Sequence, residues 1–403
     1  MTTPADTLLI TLTGKDRPGV TSAIFGALAH AGVNVVDLEQ ILLRRRLILG
    51  VLVTAPRDDK RLRQSIEEVA ADLGMTVDIE KGIGDNRARR EGRSHVTVIG
   101  APLKASAMAA IAGRIADLGG NIDRIERMAR YPVTAIELDV SGAEPASLRS
   151  QLAREAASLA VDVAVQPASL LRHAVRLIVM DVDSTLIQGE VIEMLAAHAG
   201  FEAEVAAVTE AAMRGELDFE TSLRERVRLL AGLDASVIDS VYDSIVVNPG
   251  ARTLVRTLRR LGYRFAIVSG GFSQITDRLA EDLGVHRSRA NKLEIVDGKL
   301  TGGLVGEVVD RAGKAKALRE FAADLGVPEA ATIAIGDGAN DLDMLEAAGL
   351  GIAYNARPVV REMADTSLNV PYLDAIMYLL GISREEIEAA DAADGIVTPA
   401  PPL

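Results

Sequence analysis

The sequence contains no cysteine, and this absence excludes several kinds of chemistry. Disulfide bonds, thiolate metal sites and thiol nucleophiles all require that residue. Any catalytic or metal-binding group must therefore carry oxygen or nitrogen. The 5 histidines share no motif, and none of them is predicted to be catalytic.

Aromatic residues are also scarce, at 3% of the chain, and tryptophan is absent. The hydrophobic fraction of 48% is nevertheless ordinary for a globular protein, so the cores must consist of Ala, Val, Leu and Ile. This composition suits helices packed on buried sheets. With 403 residues the chain exceeds the size at which one core keeps growing, and we expect two or three domains.

The chain also has no excess of positive charge. The net charge of −13 repels a polyanion, and no stripe of Lys and Arg with interleaved aromatics opposes it, so nucleic acid is not expected as a partner. No stretch reaches about 18 uninterrupted apolar residues, and the first residues have neither the basic region nor the apolar run of a signal peptide. We therefore expect a cytoplasmic protein without a membrane partner.

The first part of the chain contains two copies of one pattern. A strand, a turn at residues 14–19 and a helix lead to Gly32-Val33-Asn34, followed by two strands, a helix and a strand. After a linker rich in Gly and Arg the order recurs, with Gly119-Gly120-Asn121 aligned on the first Gly-Val-Asn. A repeat of roughly 85 to 90 residues is too long for a solenoid unit. We predict two tandem α+β domains, at residues 1–82 and 95–167.

These two segments resemble the ACT family of ferredoxin-like, amino-acid-binding regulatory domains. In that family the turn after the first strand and the Gly-Xaa-Asn after the first helix frame the ligand, which implies Asp16, Gly19 and Asn34 here. The second copy has residues 101–104, Ala-Pro-Leu-Lys, at the turn, which leaves open whether it builds a site in the same way. The alternative is that both copies serve only dimerisation and that their Gly and Asn residues only cap helices.

From residue 174 to 395 the pattern changes to buried apolar strands that alternate with long helices. Strands apolar on both faces and joined through helices indicate a parallel sheet covered on both sides, so we predict a doubly wound α/β domain. Between its first two strands lies a helical segment of about seventy residues, which is too long for an ordinary crossover. An inserted helical cap is therefore predicted at about residues 188–248.

Acidic side chains follow two of these strands. Asp181 and Asp183 come directly after the first strand, and Asp337, Asn340 and Asp341 follow another. Ligands bind beyond the carboxyl ends of parallel strands, and residues i and i+2 of an extended chain point the same way. Several carboxylates and an amide without His or Cys suit Mg²⁺ better than zinc. The sequence therefore predicts a magnesium site at this edge.

Two further segments suit phosphate. Ser269 and Gly270 lie where a buried strand ends and a helix begins, so that a hydroxyl and backbone N–H groups can bind phosphate oxygens. Lys314, at the start of a helix, can pair with a phosphate or with a carboxylate. A lone Lys is more often a solvated surface residue.

In order and placement these segments resemble the haloacid-dehalogenase-like phosphatases, whose motifs are Asp-Xaa-Asp-Xaa-Thr, Ser or Thr, Lys, and Gly-Asp-Xaa-Xaa-Asn-Asp. The resemblance implies that Asp181 is a nucleophile that forms an aspartyl-phosphate and that Asp183 is the general acid and base. It also implies that Asp181, Asp337 and the backbone carbonyl of Asp183 hold Mg²⁺. Asp341 would support the metal from behind.

Phosphoserine phosphatases of this superfamily place a Glu nine residues after the nucleophile to meet the substrate ammonium, which implies Glu190 here. They use an Arg for the substrate carboxylate, with a Met and a Phe that shape the cap pocket. Arg226, Met213 and Phe219 match, and Asn340 is expected to touch the substrate. The expected activity is hydrolysis of O-phosphoserine, the last step of serine biosynthesis.

Two other hypotheses remain open. One is a phosphatase or phosphotransferase for another small phosphorylated amine or alcohol, and the other is an amino-acid-responsive binding protein with an inactive phosphatase domain. ACT-like domains often pair edge to edge, so a homodimer is expected. An amino-acid effector such as serine is expected to act by binding two states with different affinity.

Overall fold

The computed structural model describes residues 6–84, 91–169, 172, 174, 176–213 and 218–398, without the side chains of residues 210–213. The chain divides into two compact units, Met1–Arg89 and Arg90–Leu403. The second unit contains both the second α+β repeat and the doubly wound sheet. Among the described residues, no helix has the length and apolar character that crossing a membrane requires.

The first unit is a four-stranded antiparallel sheet covered by two helices, with strand order β2-β3-β1-β4. Alternation along β1 places Leu8, Ile10 and Leu12 in the core, where they are fully buried under the helices. This is the ferredoxin-like arrangement that the sequence predicts. Its elements are β1 (Asp6–Lys15), α1 (Val20–His30), β2 (Val35–Leu43), β3 (Arg46–Thr54), α2 (Lys60–Asp72) and β4 (Thr76–Ile83).

The edge strand β2 exposes apolar side chains on both of its faces. Leu38, Ile41, Leu42 and Leu43 are each 48% to 58% exposed. A long apolar edge strand carries unpaired backbone groups that favour pairing with another chain.

The second repeat has the same topology, with strand order β6-β7-β5-β8. The Glu144 carboxylate caps its second helix by accepting hydrogen bonds from the backbone N–H groups of Ala146 and Ser147. The elements are β5 (Ser94–Gly100), α3 (Ala105–Asp117), β6 (Asn121–Ala129), β7 (Thr134–Ser141), α4 (Pro145–Leu159) and β8 (Asp162–Pro167). The prediction of a tandem repeat is confirmed.

A seven-stranded sheet of order β12-β11-β10-β9-β13-β14-β15 forms the centre of the α/β domain. All neighbours pair in parallel except β11 and β12, an antiparallel edge hairpin that the sequence pattern did not indicate. The strands are β9 (Leu177–Met180), β10 (Arg264–Phe272), β11 (Arg287–Val296), β12 (Lys299–Val305), β13 (Thr332–Gly336), β14 (Leu350–Tyr354) and β15 (Thr366–Leu368).

Helices cover both faces of this sheet. Strand β9 is apolar throughout because both of its faces are buried. Ile178 and Met180 point into one hydrophobic core, whereas Leu177 and Val179 point into the other. The helices after the cap are α9 (Ala251–Arg260), α10 (Ser273–Leu283), α11 (Arg311–Asp324), α12 (Leu342–Ala347), α13 (Pro358–Met363), α14 (Ile376–Leu379) and α15 (Arg384–Ala393).

The inserted cap lies between β9 and α9. It consists of α5 (Val191–Ala199), α6 (Glu202–Met213), α7 (Phe219–Arg228) and α8 (Val237–Ser244). Strand β9 is central, with β10 on one side and β13 on the other. The chain order changes direction there, so a crevice forms at the carboxyl ends of these strands.

The C-terminal helix α15 is attached to α9 through one buried carboxylate. Asp391 accepts hydrogen bonds from Arg256 and Arg260 of α9 at 2.6 to 3.0 Å, and from Thr398 at 2.9 Å. Burial opposes ionisation, but these hydrogen bonds lower the pKa of Asp391 from 3.8 to about 2. The carboxylate therefore stabilises the fold above its unfolded pKa, and this contribution is lost as the pH falls towards 2.

We expect Asp391→Ala to lower the free energy of unfolding by about 2 kcal/mol at pH 7, because two arginines lose a buried partner. Urea denaturation at pH 7 and at pH 3 measures the effect, which should shrink at the lower pH. The exposed neighbour Asp394, which pairs with Arg260, supplies the matched control Asp394→Ala. An equal loss in both variants would contradict the assignment.

Candidate active site

Asp181 and Asp183 lie at the carboxyl end of β9, in the centre of the sheet. The Asp181 backbone N–H donates to the Ile335 carbonyl of β13 at 2.9 Å, which continues the strand pairing by one residue. A tight turn at Val182–Leu186 follows, in which Ser184 has a φ of +56°. This turn aims both carboxylates into one cavity of about 610 Å³.

The cavity brings together most of the residues that the sequence singled out. Its lining includes Asp181, Asp183, Glu190, Phe219, Arg226, Gly270, Asp337 and Asn340. Met213 ends α6, and its side chain lies outside the described residues. Residues of the cap and residues at the carboxyl ends of the central strands therefore line the same cavity.

Lys314 is completely buried in the first turn of α11, which excludes the alternative of a solvated surface residue. Its Nζ lies 2.8 Å from Asp181 Oδ1 and 2.7 Å from Asp341 Oδ1. Burial opposes the positive charge, but the two carboxylates raise the pKa of Lys314 above its usual value. The ammonium therefore stays charged and orients the Asp181 carboxylate.

The loop after β13 places two more carboxylates beside Asp181. Asp341 is fully buried, and its Oδ2 accepts a hydrogen bond from the Gly338 backbone N–H at 3.0 Å. Asp337 Oδ1 accepts from the Thr185 hydroxyl at 2.9 Å. A Cβ at Gly336 would lie 2.4 Å from Asp341 Cγ, so only glycine fits there.

These carboxylates suit a divalent metal ion. Asp181, Asp337 and Asp341 offer ligand atoms that all lie within 4.8 Å of one another. Burial and the neighbouring Asp341 raise the pKa of Asp181 well above its usual value and that of Asp337 to about 6. A single ammonium does not balance these charges. An oxygen-only donor set of this kind fits a hard cation such as Mg²⁺.

Asp183 is held by the start of the cap and by the end of β10. Its Oδ1 accepts from the Val191 backbone N–H at 2.8 Å, and its Oδ2 accepts from the Ser269 hydroxyl at 3.0 Å. Burial raises the pKa of Asp183. A carboxyl whose pKa is raised is well suited to exchange a proton near neutral pH.

The segment after β10 makes the opposite wall. The Gly271 backbone N–H donates to Ser269 Oγ at 2.7 Å, and a Cβ at Gly271 would lie 2.7 Å from Asp183 Oδ2. A Cβ at Gly270 would lie 2.9 Å from Phe219 Cζ of the cap. Both glycines therefore allow the backbone to approach the cavity closely.

Glu190 and Arg226 bring opposite charges to the cap side of the cavity. Burial and the carboxylates of Asp183 and Asp337 raise the pKa of Glu190 to about 7. Burial lowers the pKa of Arg226, whose Nη1 lies 3.5 Å from the Thr209 hydroxyl. Such a pair is suited to a ligand that carries both an ammonium and a carboxylate.

Three residues predicted to bind an effector do not come together within one domain. Asp16 and Gly19 lie in the turn after β1, next to the start of β3, because the Asp16 backbone N–H donates to the Arg45 carbonyl. Asn34 pairs with Thr54 at the end of β3. Eight residues of strand separate these ends of β3 by about 26 Å.

Several residues of the site were not found from the sequence. Asn291 holds the wall in place, because its Nδ2 donates to the Gly270 carbonyl and its Oδ1 accepts from the Val309 backbone N–H. Thr185 is the Thr of the Asp-Xaa-Asp-Xaa-Thr motif, and that motif is the sequence signal from which it could have been identified. Arg311 and Arg357 also line the cavity, and no sequence motif marks either of them.

Comparison with known proteins identifies the families of these domains. The haloacid dehalogenase-like hydrolase family matches residues 178–346, and ACT domain families match residues 6–80 and 93–166. The phosphoserine phosphatase of Streptomyces coelicolor is 61% identical over 97% of this chain and 96% of its own length. Phosphoserine phosphatase SerB2 of Mycobacterium tuberculosis is 53% identical over 96% of both chains.

A solved structure supports the same assignment. The probable phosphoserine phosphatase from Vibrio cholerae, in its unliganded form, superimposes with a TM-score of 0.58 at 34% identity, over 74% of this chain and 88% of that one. The sequence identity over nearly the full length, together with the acidic cavity at the centre of the sheet, shows to which family the chain belongs. It belongs to the phosphoserine phosphatase family of haloacid dehalogenase-like hydrolases and carries two ACT domains ahead of its catalytic domain.

Proposed function

We propose that this chain hydrolyses O-phospho-L-serine to L-serine and phosphate, the last step of serine biosynthesis, through an aspartyl-phosphate on Asp181. One observation carries the proposal. A single cavity is lined by the Lys314-bound carboxylate of Asp181, by a second carboxyl at Asp183, and by the oppositely charged Glu190 and Arg226. These groups complement the phosphate, the leaving oxygen, the ammonium and the carboxylate of phosphoserine.

In the first step the Asp181 carboxylate attacks phosphorus, and the bond from phosphorus to the serine oxygen breaks. Asp183 donates its proton to that oxygen, because an alkoxide is a strongly basic leaving group. Lys314 keeps the attacking carboxylate oriented. The Ser269 hydroxyl and the backbone at Gly270 bind phosphate oxygens from the other wall.

In the second step water attacks the aspartyl-phosphate. Asp183, now ionised, removes a proton from that water, and the phosphoryl group leaves Asp181 as inorganic phosphate. Asp183 is thereby protonated again and is ready for the next substrate.

Asp181, Asp337 and the backbone carbonyl of Asp183 are the groups that we expect to hold Mg²⁺, with Asp341 supporting them from behind. When bound, the ion neutralises negative charge between the carboxylates and the phosphate. The hydrogen bonds of Asp341 to Lys314 and Gly338 support its role as a positioning residue.

Phosphate release from O-phospho-L-serine tests the proposal directly. With Mg²⁺ present we expect phosphoserine to be hydrolysed faster than phosphothreonine, phosphoethanolamine or sugar phosphates. Chelation by EDTA should lower the rate by at least about 100-fold, and added Mg²⁺ should restore it. A preference for one of the other phosphate esters, or full activity after exhaustive chelation, would contradict the proposal.

Arg226 is expected to bind the substrate carboxylate with its planar guanidinium. We expect Arg226→Lys to raise KM for phosphoserine by about 10- to 100-fold, because a two-pronged charged hydrogen bond is lost. Phosphoethanolamine lacks the carboxylate, so its KM should change little. A similar increase for both substrates would show that Arg226 acts on the cap structure instead.

The ACT domains are proposed to bind an amino-acid effector such as serine in a homodimer. The exposed apolar edge of β2 supports pairing with a second copy. A second copy would also allow Asp16 and Gly19 of one chain to meet Asn34 of the other. Mass measurement in solution and kinetics with added serine test this: a monomer that serine does not affect would contradict it.

A further inference from the structure

Strands β10 and β11 pair in parallel, but their register shifts at the wall of the active-site cavity. Val268 of β10 lies opposite Arg289, whereas Phe272 lies opposite Asn291. Four steps along β10 therefore match two steps along β11, and residues 269–271 leave the ladder as a bulge. We call these three residues the wall segment. Its two glycines line the cavity.

A bulge leaves backbone groups without their partners in the ladder, and the Asn291 side chain supplies one such partner. Its Nδ2 donates to the Gly270 carbonyl at 2.7 Å, and its Oδ1 accepts from the Val309 backbone N–H at 2.8 Å. Because one end of an amide only donates and the other only accepts, these two partners fix its orientation. Asn291 is 2% exposed, so water cannot easily replace either hydrogen bond.

The second partner of Asn291 leads to Lys314. Val309 directly precedes Asp310, whose carboxylate caps the start of α11. The Lys314 backbone N–H donates to the Asp310 carbonyl at 2.9 Å, and the Lys314 ammonium holds Asp181 at 2.8 Å. The amide of Asn291 therefore links the wall segment directly to the start of the helix that orients the attacking carboxylate.

The wall segment also has a close contact with Asp183. The Ser269 hydroxyl donates to Asp183 Oδ2 at 3.0 Å, and a Cβ at Gly271 would lie 2.7 Å from the same oxygen. The wall segment therefore has little room to move towards Asp183. The hydrogen bond from Asn291 to the Gly270 carbonyl opposes movement away from β11. Together these contacts give the wall segment one defined position.

We propose that Asn291 is a positioning residue, which fixes the wall segment relative to α11 and thereby sets the distance between the phosphate-binding groups and Asp181. The proposal rests on the phosphatase function proposed above. It assigns a part in the reaction to a residue outside the lining of the cavity.

Asn291→Ala removes both hydrogen bonds. We expect it to lower kcat for phosphoserine by about 10- to 100-fold, because a misplacement of about 1 Å can cost that much in rate. KM should change less than about 3-fold, because Glu190 and Arg226 still meet the rest of the substrate. Steady-state kinetics at saturating Mg²⁺ measures both constants. A kcat equal to that of the parent overturns the proposal.

Gln274→Ala is the matched control. Gln274, in the first turn of α10, also contacts β11 with both ends of its amide, because Nε2 donates to the Leu293 carbonyl at 2.8 Å and Oε1 accepts from the Leu293 N–H at 3.3 Å. This change removes two hydrogen bonds to the same strand but none to the wall segment. Its kcat should stay within about 2-fold of the parent. An equal loss of kcat in both variants would show that only the packing of β11 matters.

Asn291→Asp keeps the shape of the side chain and gives a readout that depends on pH. A neutral carboxyl can donate to the Gly270 carbonyl and accept from Val309, as the amide does, whereas the ionised form has no donor. Burial raises the pKa of such a carboxyl above its usual range. The ratio of the variant kcat to the parent kcat should therefore be near one at about pH 5 and fall by about 10-fold or more towards about pH 9.

A reduced ratio that is the same at every pH overturns the positioning role, because a simple change in packing does not titrate. If Asn291→Ala does not fold, as judged by circular dichroism, the pH profile of Asn291→Asp decides the proposal by itself.

Double variants test whether Asn291 acts through the wall segment. Ser269→Ala removes the contact of the wall segment with Asp183, so adding Asn291→Ala should lower kcat less than about 3-fold further. Arg226→Lys acts on the other side of the cavity, so its loss in kcat/KM and that of Asn291→Ala should multiply. Full multiplication in both pairs would show that Asn291 does not act through the wall segment.

Failure of the parent protein to hydrolyse phosphoserine would count against the proposed function alone. The same variants are then compared on whichever phosphate ester the parent does hydrolyse, because all such esters share the phosphate that faces the wall segment. The pH profile and the double variants still decide the role of Asn291.

Discussion

Replacing Asp181 by Asn should abolish phosphoserine hydrolysis, lowering kcat by at least about 10⁴-fold. The amide that replaces the carboxylate is a poor nucleophile, and it removes the charge that holds Lys314 and contributes to the metal site. Phosphate release under saturating Mg²⁺ and phosphoserine measures the loss. The aspartyl-phosphate mimic formed with beryllium fluoride should bind the parent protein and not the variant.

A control separates chemistry from folding. Asp297→Asn makes the same chemical change in the exposed β11–β12 turn, where φ is +49° and Asn is tolerated. Its activity and unfolding transition should match those of the parent. Asp181→Asn should unfold no earlier than the parent, because it removes one charge from a crowded acidic cluster. Activity within tenfold of the parent in Asp181→Asn would exclude the covalent mechanism.

Replacing Asp183 by Asn should lower kcat for phosphoserine by about 10²- to 10⁴-fold, because the leaving serine oxygen loses its proton donor. The result should depend on the leaving group. The nitrophenolate of p-nitrophenyl phosphate leaves without protonation, so the first step with that substrate should remain fast. The second step should stay slow, because no base activates the water.

The Asp183→Asn variant should therefore release one equivalent of nitrophenol in a burst and then turn over slowly. Rapid-mixing absorbance measurements report the burst amplitude, and acid quenching should recover phosphate bound to the protein. Equal losses for both substrates without a burst would mean that Asn at this position disturbs the attack by Asp181 instead. In that event the variant would have disturbed the hydrogen bonds that Asp183 accepts from Val191 and Ser269.

The candidate site residues could be picked out from short segments because most of them lie at the ends of strands. Asp181, Asp183 and Asp337 follow apolar runs that read as buried strands, and the carboxyl ends of parallel strands meet at one edge. Lys314 was ambiguous from its local sequence. Its burial between two carboxylates arises only when the sheet assembles. Lys314 lies in α11, more than 100 residues after Asp181 in the chain.

The features that the sequence did not reveal all depend on contacts between distant segments. Asn291 supports the Gly270 wall from the next strand of the sheet, and nothing around it distinguishes it from an ordinary polar residue. Arg357 is one exposed arginine among many until the fold places it in the lining of the cavity. The edge hairpin β11–β12 lacks the alternating apolar pattern that marks a strand packed on a core.

Local composition and motif spacing were therefore enough to predict the ACT repeats, the doubly wound sheet, the cap and the cluster of acidic side chains. Periodicity and position at the end of a strand are short-range properties. The attachment of the second ACT domain to the catalytic sheet was not accessible in the same way. Asp162 and Asn369 are 207 residues apart in the chain, and their pairing exists only after two separately patterned segments have folded and buried a common surface.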